Sequence, residues 1–289
     1  MKKLIINFCP TGTVTNKQMT PYVPQTPEEI INDVLTCSSL GVSMVHLHAC
    51  ENGEPTYKKE IYAEIIAGIR SKRPDLIIIT TTSGRLFTQF EQRSEVLELK
   101  GDLKPDMASL TLGSMNFTRH ASTNSPEIII KLINKMREND IKPELEVFDA
   151  GMVNYAKYLI NKKLLEPPYY FNILLGNIAT AQAKLQHLAL ILNELPENSI
   201  WSIAGIGTCQ KKMNLLGLIV GDGIRIGLED NIWFDCNKEN LATNFALVER
   251  VAIMAKIADR QIATPEEVRE MLNLKQQKIQ ACTYTGICQ

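Results

Sequence analysis

Apolar residues along this chain gather in short runs rich in Val, Ile and Leu, each followed by a longer stretch in which apolar and polar positions recur with a helical period. Continuous apolar runs suit parallel strands buried on both faces, and the amphipathic stretches suit the helices that connect them. Strands are expected near residues 4–8, 43–48, 76–82, 107–112, 144–148, 170–175, 201–204 and 224–227. Helix start signals fall between them. Thr26-Pro27-Glu28-Glu29 and Asn124-Ser125-Pro126-Glu127 place a capping residue ahead of proline at the first helical position, and Thr264-Pro265-Glu266-Glu267 starts a late helix. A long helix is expected at about 240–258 and an amphipathic stretch at 181–195. Eight β-α units in this length define an α/β fold of the (β/α)8 TIM-barrel type, because a doubly wound sheet has fewer strands and a crevice where strand order reverses.

No internal repeat, low-complexity tract or long linker divides the chain, so the expectation is a single barrel domain over residues 1–275 and a patternless C-terminal tail over 276–289. The 45% hydrophobic and 22% charged composition over 289 residues supports one sizeable core. Net charge is −1 and Lys and Arg are scattered, which argues against nucleic acid as a partner. The first apolar run is too short for a signal sequence or a membrane span, so no membrane partner and a cytoplasmic location are expected. Seven widely spaced cysteines without a C-x-x-C pair read as free thiols.

Barrel chemistry gathers at the C-terminal ends of the strands. His46-Leu47-His48 ends the second strand, and residues two apart on a strand share a face, so both imidazoles can converge on one ion while Leu47 faces the helices. A metal-free pair of hydrogen-bonded histidines fits the same spacing. Closure of the barrel places the end of strand eight two strands away, where Glu229 and Asp230 offer a third ligand or, alternatively, cap the next helix. Two imidazoles and a carboxylate suit catalytic zinc before other divalent ions.

Glu144 and Glu146 alternate with apolar neighbours and should both point inward, with Arg225 as an available partner, either as an acid/base relay or as a structural ion pair. Thr80 through Arg85 could cradle a carboxylate or phosphate, or simply cap a helix, and Ser109 and Thr111 lie on strand four. Gly205-Ile206-Gly207 is either a phosphate loop or a tight turn. Cys50 is a candidate soft ligand or reactive thiol against the alternative of a buried spectator. His120 and His187 read as structural or exposed.

The motifs Thr11-Gly12, Val23-Pro24, Val45-His46-Leu47-His48, Lys104-Pro105-Asp106-Met107-Ala108, Asn116-Phe117, Pro143-Glu144-Leu145-Glu146-Val147, Trp201 through Gly207, Arg225 through Asn231 and Ala263-Thr264-Pro265-Glu266 together resemble the β-keto acid cleavage enzymes over almost the whole chain. That resemblance implies a zinc-dependent exchange in which a β-keto acid and acetyl-CoA give acetoacetate and a new acyl-CoA, in a homotetramer. By matching positions it assigns His46, His48 and Glu229 to one zinc ion. It makes Asp230 the base, oriented by Arg225 and Glu146, and it places Thr82, Ser83, Gly84 and Ser109 around the substrate carboxylate and intermediate.

Several positions depart from the pattern. Val14 stands where a member acting on an aminated substrate has a glutamate, and an apolar side chain cannot neutralise an ammonium. The expected substrate therefore lacks an amino group and carries a neutral or apolar tail. Arg85 stands where a second glycine is usual, Cys50-Glu51 replaces an Arg-acid pair, and Thr208-Cys209-Gln210 replaces aromatic and basic residues. Two other classes are weighed against this. A barrel hydrolase of the amidohydrolase type carries H-x-H on its first strand and needs later histidines that only His120 and His187 could supply. A non-catalytic barrel binding a carboxylate or acyl-CoA would not need Asp230 with its orienting Arg225 and Glu146.

Overall fold

A computed structural model describes residues 2–275. Eight parallel strands close into a barrel: β1 (Ile5–Phe8), β2 (Met44–Leu47), β3 (Ile77–Thr80), β4 (Met107–Thr111), β5 (Lys142–Val147), β6 (Tyr169–Leu175), β7 (Ser199–Gly205) and β8 (Gly223–Ile226). Each strand pairs with its sequence neighbours, and β8 pairs with β1, which itself pairs with β2. Strand eight is thus two strands from strand two, as the sequence predicts. The helices around the barrel are α1 (Pro27–Ser38), α2 (Lys59–Arg70), α3 (Phe90–Ser94), α4 (Pro126–Glu138), α5 (Ala150–Asn161), α6 (Leu185–Glu194), α7 (Gln210–Val220) and α8 (Asn244–Ile257), and α9 (Pro265–Met271) lies across its N-terminal end.

The start signals act as expected. Thr26, Ser125 and Thr264 accept hydrogen bonds from the backbone N–H groups of Glu29, Ile128 and Glu267, and Thr264 with Glu267 forms a full capping box. Outward strand residues such as Ile6, Phe8, Val45, Leu47 and Ile78 pack with the helices in one large buried cluster. Inward residues form a second cluster at the N-terminal end of the barrel, where Ile5, Met44, Ile77, Ile79, Met107 and Tyr170 meet Val268 and Leu272. Helix α9 therefore plugs that end. Above the plug the interior turns polar, with Asn7, His46, Glu144, Asn172, Ser202 and Arg225 all buried.

Some expected boundaries shift. The helix expected from residue 240 starts at Asn244, because Thr243 is its cap and the preceding residues fold back, with Phe234 N–H donating to Asn240 and Ala242 N–H to Ile232. In the stretch 181–195 the helix begins only at Leu185, after a turn in which Gln182 N–H donates to His187 Nδ1 at 2.8 Å. Two hairpins, Ala49–Glu51 with Glu54–Thr56 and Met115–Asn116 with Ala121–Ser122, decorate the C-terminal face without a clear signal in the sequence pattern. Cys9, Cys37, Cys50, Cys209 and Cys236 are free, and the expected tail over 276–289, with Cys282 and Cys288, lies outside the described residues. No helix among the described residues is long and apolar enough to cross a membrane.

The plug is locked by charge as well as by apolar packing. Arg269 is 1% exposed; it donates to Asp106 at 2.7 and 3.1 Å and to the carbonyls of Asp75 and Leu76 at 3.1 and 3.2 Å. Arg70 also reaches Asp106, at 3.1 Å. Truncating one member of such a buried set leaves the others unpaired, at a cost of about 3–5 kcal/mol. Arg269→Ala should lower unfolding stability by that order in urea titration; a loss below about 1 kcal/mol would show that the plug does not depend on this cation.

Candidate active site

Strand geometry delivers the side chains that the sequence singles out. His46 is the inward residue near the end of β2, and His48 follows on the same side, so the two ring centroids lie 5.3 Å apart. Glu229 and Asp230 follow β8 by way of Gly227, whose φ of +154° brings its backbone so close to β1 that an added Cβ would sit 1.9 Å from the Cys9 carbonyl oxygen. Gly12 serves the same end, because a Cβ there would lie 2.5 Å from Glu229 Cγ. The β8 loop is then tied down: Leu228 N–H donates to Asn244 at 2.8 Å, Gln210 donates to the Gly227 carbonyl at 2.9 Å, and Thr15 donates to the Leu228 carbonyl at 3.0 Å.

The nitrogen and oxygen donors of His46, His48 and Glu229 all lie within 4.8 Å of one another. His46 Nδ1 sits 2.7 Å from Glu144 Oε2. A carboxylate only accepts, so this contact places the hydrogen on Nδ1 and leaves Nε2 able to coordinate an ion, the arrangement by which an outer carboxylate orients a metal-binding imidazole. Glu144 is itself held by Asn7 at 2.7 Å and Asn172 at 3.2 Å. His48 Nε2 is 3.2 Å from Glu229 Oε1, whereas Glu229 Oε2 is buried without a hydrogen-bond partner. A buried, unpartnered carboxylate oxygen beside two imidazoles fits a divalent cation, and the N2O donor set fits zinc.

Arg225 binds the acids of this region together. Its Nε and NH2 donate to the two oxygens of Asp230 at 2.9 and 3.3 Å, NH2 also lies 2.7 Å from Glu229 Oε1, and NH1 lies 3.4 Å from Glu146 Oε1. The sequence offers Arg225 equally to Glu144 and Glu146; the structure gives it Glu146, and Glu144 belongs to His46. Glu146 also accepts from Thr111 at 2.7 Å. Cys9 Sγ donates to Asp230 Oδ2 at 3.4 Å.

Burial opposes the Glu229 charge, but Arg225, His48 and His46 hold its carboxyl well below the usual carboxylate range. Burial likewise opposes charge on Glu144, where His46 prevails and keeps the carboxyl low. For Glu146 burial wins and the carboxyl is raised. Burial lowers His48; at His46 burial also pushes down, but Glu144 and Glu229 together leave the imidazole raised.

These groups open into a cleft of about 1140 Å3 lined also by Val14, Ser83, Arg85, Thr111, Phe117 and Trp233. Three expected substrate residues do not line it. The Thr82 hydroxyl donates to the Ser109 carbonyl at 2.6 Å while Ser109 Oγ accepts from Thr82 N–H at 3.1 Å, so the two are spent on each other. Gly84 packs against Thr123 and Arg93, where a Cβ would come within 2.3 Å of the Thr123 carbonyl oxygen. The glycine turn after β7 is tight, with a Cβ at Gly205 only 2.5 Å from Cys209, and the Gly207 N–H is taken by the Asp230 carbonyl at 2.7 Å. Cys50 is buried in the hairpin after β2, where burial pushes its thiol up to about 11, and it has the character of a spectator. His120 is exposed on the cleft rim and His187 serves the turn before α6, so neither completes a hydrolase metal set. Asn7, Asn172 and Cys9 carry parts of the site that the sequence motifs do not single out; inward alternation along β1 and β6 is the signal that marks the first two.

A polar site of this composition at the C-terminal mouth of a parallel barrel, with a candidate metal-binding group, is that of a (β/α)8-barrel enzyme. The beta-keto acid cleavage enzyme family model matches residues 3–274, and the chain belongs to that family. It is accordingly an enzyme of the acyltransferase class. It is 38% identical over 278 residues to a 3-keto-5-aminohexanoate cleavage enzyme of Fusobacterium nucleatum, covering 95% of this chain and 99% of that protein. It is 31% identical over 280 residues to a 3-oxoadipate:acetyl-CoA acetyltransferase of Cupriavidus necator, covering 95% and 96%. Among solved structures, the ternary complex of ObcA with a C4-CoA adduct and oxalate superposes with a TM-score of 0.76 at 21% identity, over 88% of this chain and 68% of that one, which supports the fold.

The Glu144 contact yields a direct expectation. Glu144→Gln keeps the side-chain shape but weakens the hold on Nδ1, and loss of such an outer partner costs roughly 10- to 100-fold in metal affinity. Competition of the purified variant with a chromogenic zinc chelator should show that weakening; an unchanged affinity would separate Glu144 from metal binding.

Proposed function

We propose that this enzyme exchanges acyl groups between a β-keto acid and acetyl-CoA, giving acetoacetate and a new acyl-CoA without hydrolysis. The observation that carries the reading is the two-point grip of Arg225 on Asp230, which holds a 92%-buried carboxylate beside the His46, His48 and Glu229 group in the same cleft. The names of the relatives, which couple keto acids to acetyl-CoA, agree with it.

His46, His48 and Glu229 would hold one zinc ion, which when bound supplies Lewis-acid attraction for the oxygens of the keto acid. Asp230 takes the proton from the carbon between the keto and carboxylate groups. Arg225 keeps both Asp230 oxygens in place, and Glu146, bonded to Arg225 and Thr111, steadies the guanidinium from its other side. The carbon freed of its proton attacks the acetyl thioester carbonyl and forms the new C–C bond. Coenzyme A thiolate leaves and adds to the original keto carbon, the old C–C bond breaks to release the acyl-CoA, and the carbanion left behind takes back the proton from Asp230 to become acetoacetate. Every atom of both substrates is kept, so water must be excluded from the acyl group. Ser83 stands on the cleft wall as a contact for the substrate carboxylate, with Thr82, Gly84 and Ser109 shaping the loop that carries it.

Val14 lines the cleft and is 53% exposed, which supports a substrate without an ammonium group on its tail. We further propose a cytoplasmic homotetramer, in keeping with the apolar residues Leu215, Ile219, Val220, Ile253 and Ile257 left exposed on α7 and α8.

The test is turnover of zinc-loaded protein with a panel of β-keto acids and acetyl-CoA, following acetoacetate and acyl-CoA by mass spectrometry. Asp230→Asn should lose roughly 10²- to 10⁴-fold in kcat, the range of a lost general base, while keeping its zinc. Acetate instead of acetoacetate as the acetyl product, or an Asp230→Asn variant as fast as wild type, would contradict the exchange.

A further inference from the structure

The charges facing the cleft are unevenly matched. Glu146, Glu229 and Asp230 line it, and all three are bonded to Arg225. A divalent ion on His46, His48 and Glu229, together with Arg225, neutralises these three carboxylates. Arg85 is then left over. Its guanidinium lies in the cleft wall with Cζ 3.5 Å from the centroid of the Phe117 ring, and its NH1 donates to Thr13 Oγ1 at 3.4 Å. Among the described residues no carboxylate lies within ion-pair distance of it. The exposed cations Arg119 and Lys238 also line the cleft.

An aromatic ring under the guanidinium face leaves the planar edge as the part able to bind. That edge carries paired N–H donors whose spacing matches a carboxylate, so stacking orients Arg85 for two-point recognition of one. A partly buried cation without an acid has given up hydration that such a ligand would restore. The position of the cation suggests which carboxylate. Metal ligands and Asp230 surround the reacting end of the substrate, whereas Arg85 is tied to Thr13, next to the half-exposed Val14. Phe117 and Met115 supply apolar surface on the same cleft for the methylenes between the two ends.

We infer that Arg85 receives a second carboxylate at the far end of the substrate tail, so that the cleft selects dicarboxylic β-keto acids. The inference rests on the exchange reading of the site. Val14 excludes a cationic tail, and Arg85 beside Thr13 replaces the expected neutral or apolar tail with an anionic one.

The experiment compares a six-carbon 3-oxo dicarboxylate with the 3-oxo monocarboxylate of equal length, each with acetyl-CoA, in wild type, Arg85→Gln and Arg85→Lys. Calorimetric titration of the same zinc-loaded proteins with adipate and hexanoate accompanies it. Wild type should prefer the dicarboxylate in kcat/KM. Arg85→Gln should shrink that preference by roughly 10- to 100-fold, the worth of a charge-assisted two-point contact. The loss should fall mainly on the KM for the dicarboxylate, and Arg85→Lys should restore part of it. Equal losses for both keto acids would mean that Arg85 binds the carboxylate they share, and a loss in the KM for acetyl-CoA would mean that it binds a phosphate; either overturns the inference. Turnover without a dicarboxylate preference also sinks it and leaves the exchange reading intact. Adipate binding that depends on Arg85, with no turnover of any keto acid, would uphold the inference and sink the exchange.

Discussion

A guanidinium that is 1% exposed inside a barrel is a large electrostatic liability unless acids surround it, and Arg225 is surrounded by Asp230, Glu229 and Glu146. The dependence is mutual. Burial pushes the Glu229 and Glu146 carboxyls toward their neutral forms, and Arg225 is the first influence holding Glu229 ionised. One cation thereby keeps a proposed metal ligand charged and holds the proposed base by both oxygens. Removing it would leave three buried acids facing one another, so the shape of the site and its charge state have the same origin.

The fold makes that concentration of charge affordable by separating functions along the barrel axis. The N-terminal end is closed by apolar packing around Val268 and Leu272 and by the Arg269–Asp106 pair, and it contains none of the cleft residues. The C-terminal end can then carry polar side chains whose burial is offset by hydrogen bonds from strand to strand, from Asn7 and Asn172 through Glu144 to His46. Backbone proximity sets the remaining geometry. Gly227 and Gly12 let the end of β8 approach β1 closely enough for Glu229 to meet histidines carried on β2.

Much of this was legible in the sequence because a few strong rules govern it. Apolar runs alternating with amphipathic stretches define the eight strands, and barrel closure brings residue 229 near residues 46 and 48 without any knowledge of the loops. Alternation along β5 correctly turned Glu144 and Glu146 inward. Their partners were not separable, since Arg225 is an equally plausible neighbour of both until the register is known; that register sets Glu144 beside the His46 ring. Boundaries after strands were the least legible. Capped by Thr243, α8 starts about four residues later than the periodicity suggests, and the hairpins on the C-terminal face answer to local turns that a helical or strand period does not report. The stacking of Arg85 on Phe117 joins residues from two such loops, so no pattern within either segment announces it.

In the proposed site, one Arg225-centred and Glu144-supported arrangement prepares His46, His48 and Glu229 for a single divalent ion. Zinc-edge X-ray absorption of the purified protein, compared with the Glu229→Gln variant, tests it most directly. The expected result is one zinc per chain with two imidazole nitrogens and a carboxylate oxygen at about 2.0–2.2 Å, and loss of the oxygen shell or of the metal in the variant. A protein that binds no zinc, or one whose spectrum shows sulfur ligation or does not change when Glu229 is replaced, would contradict it.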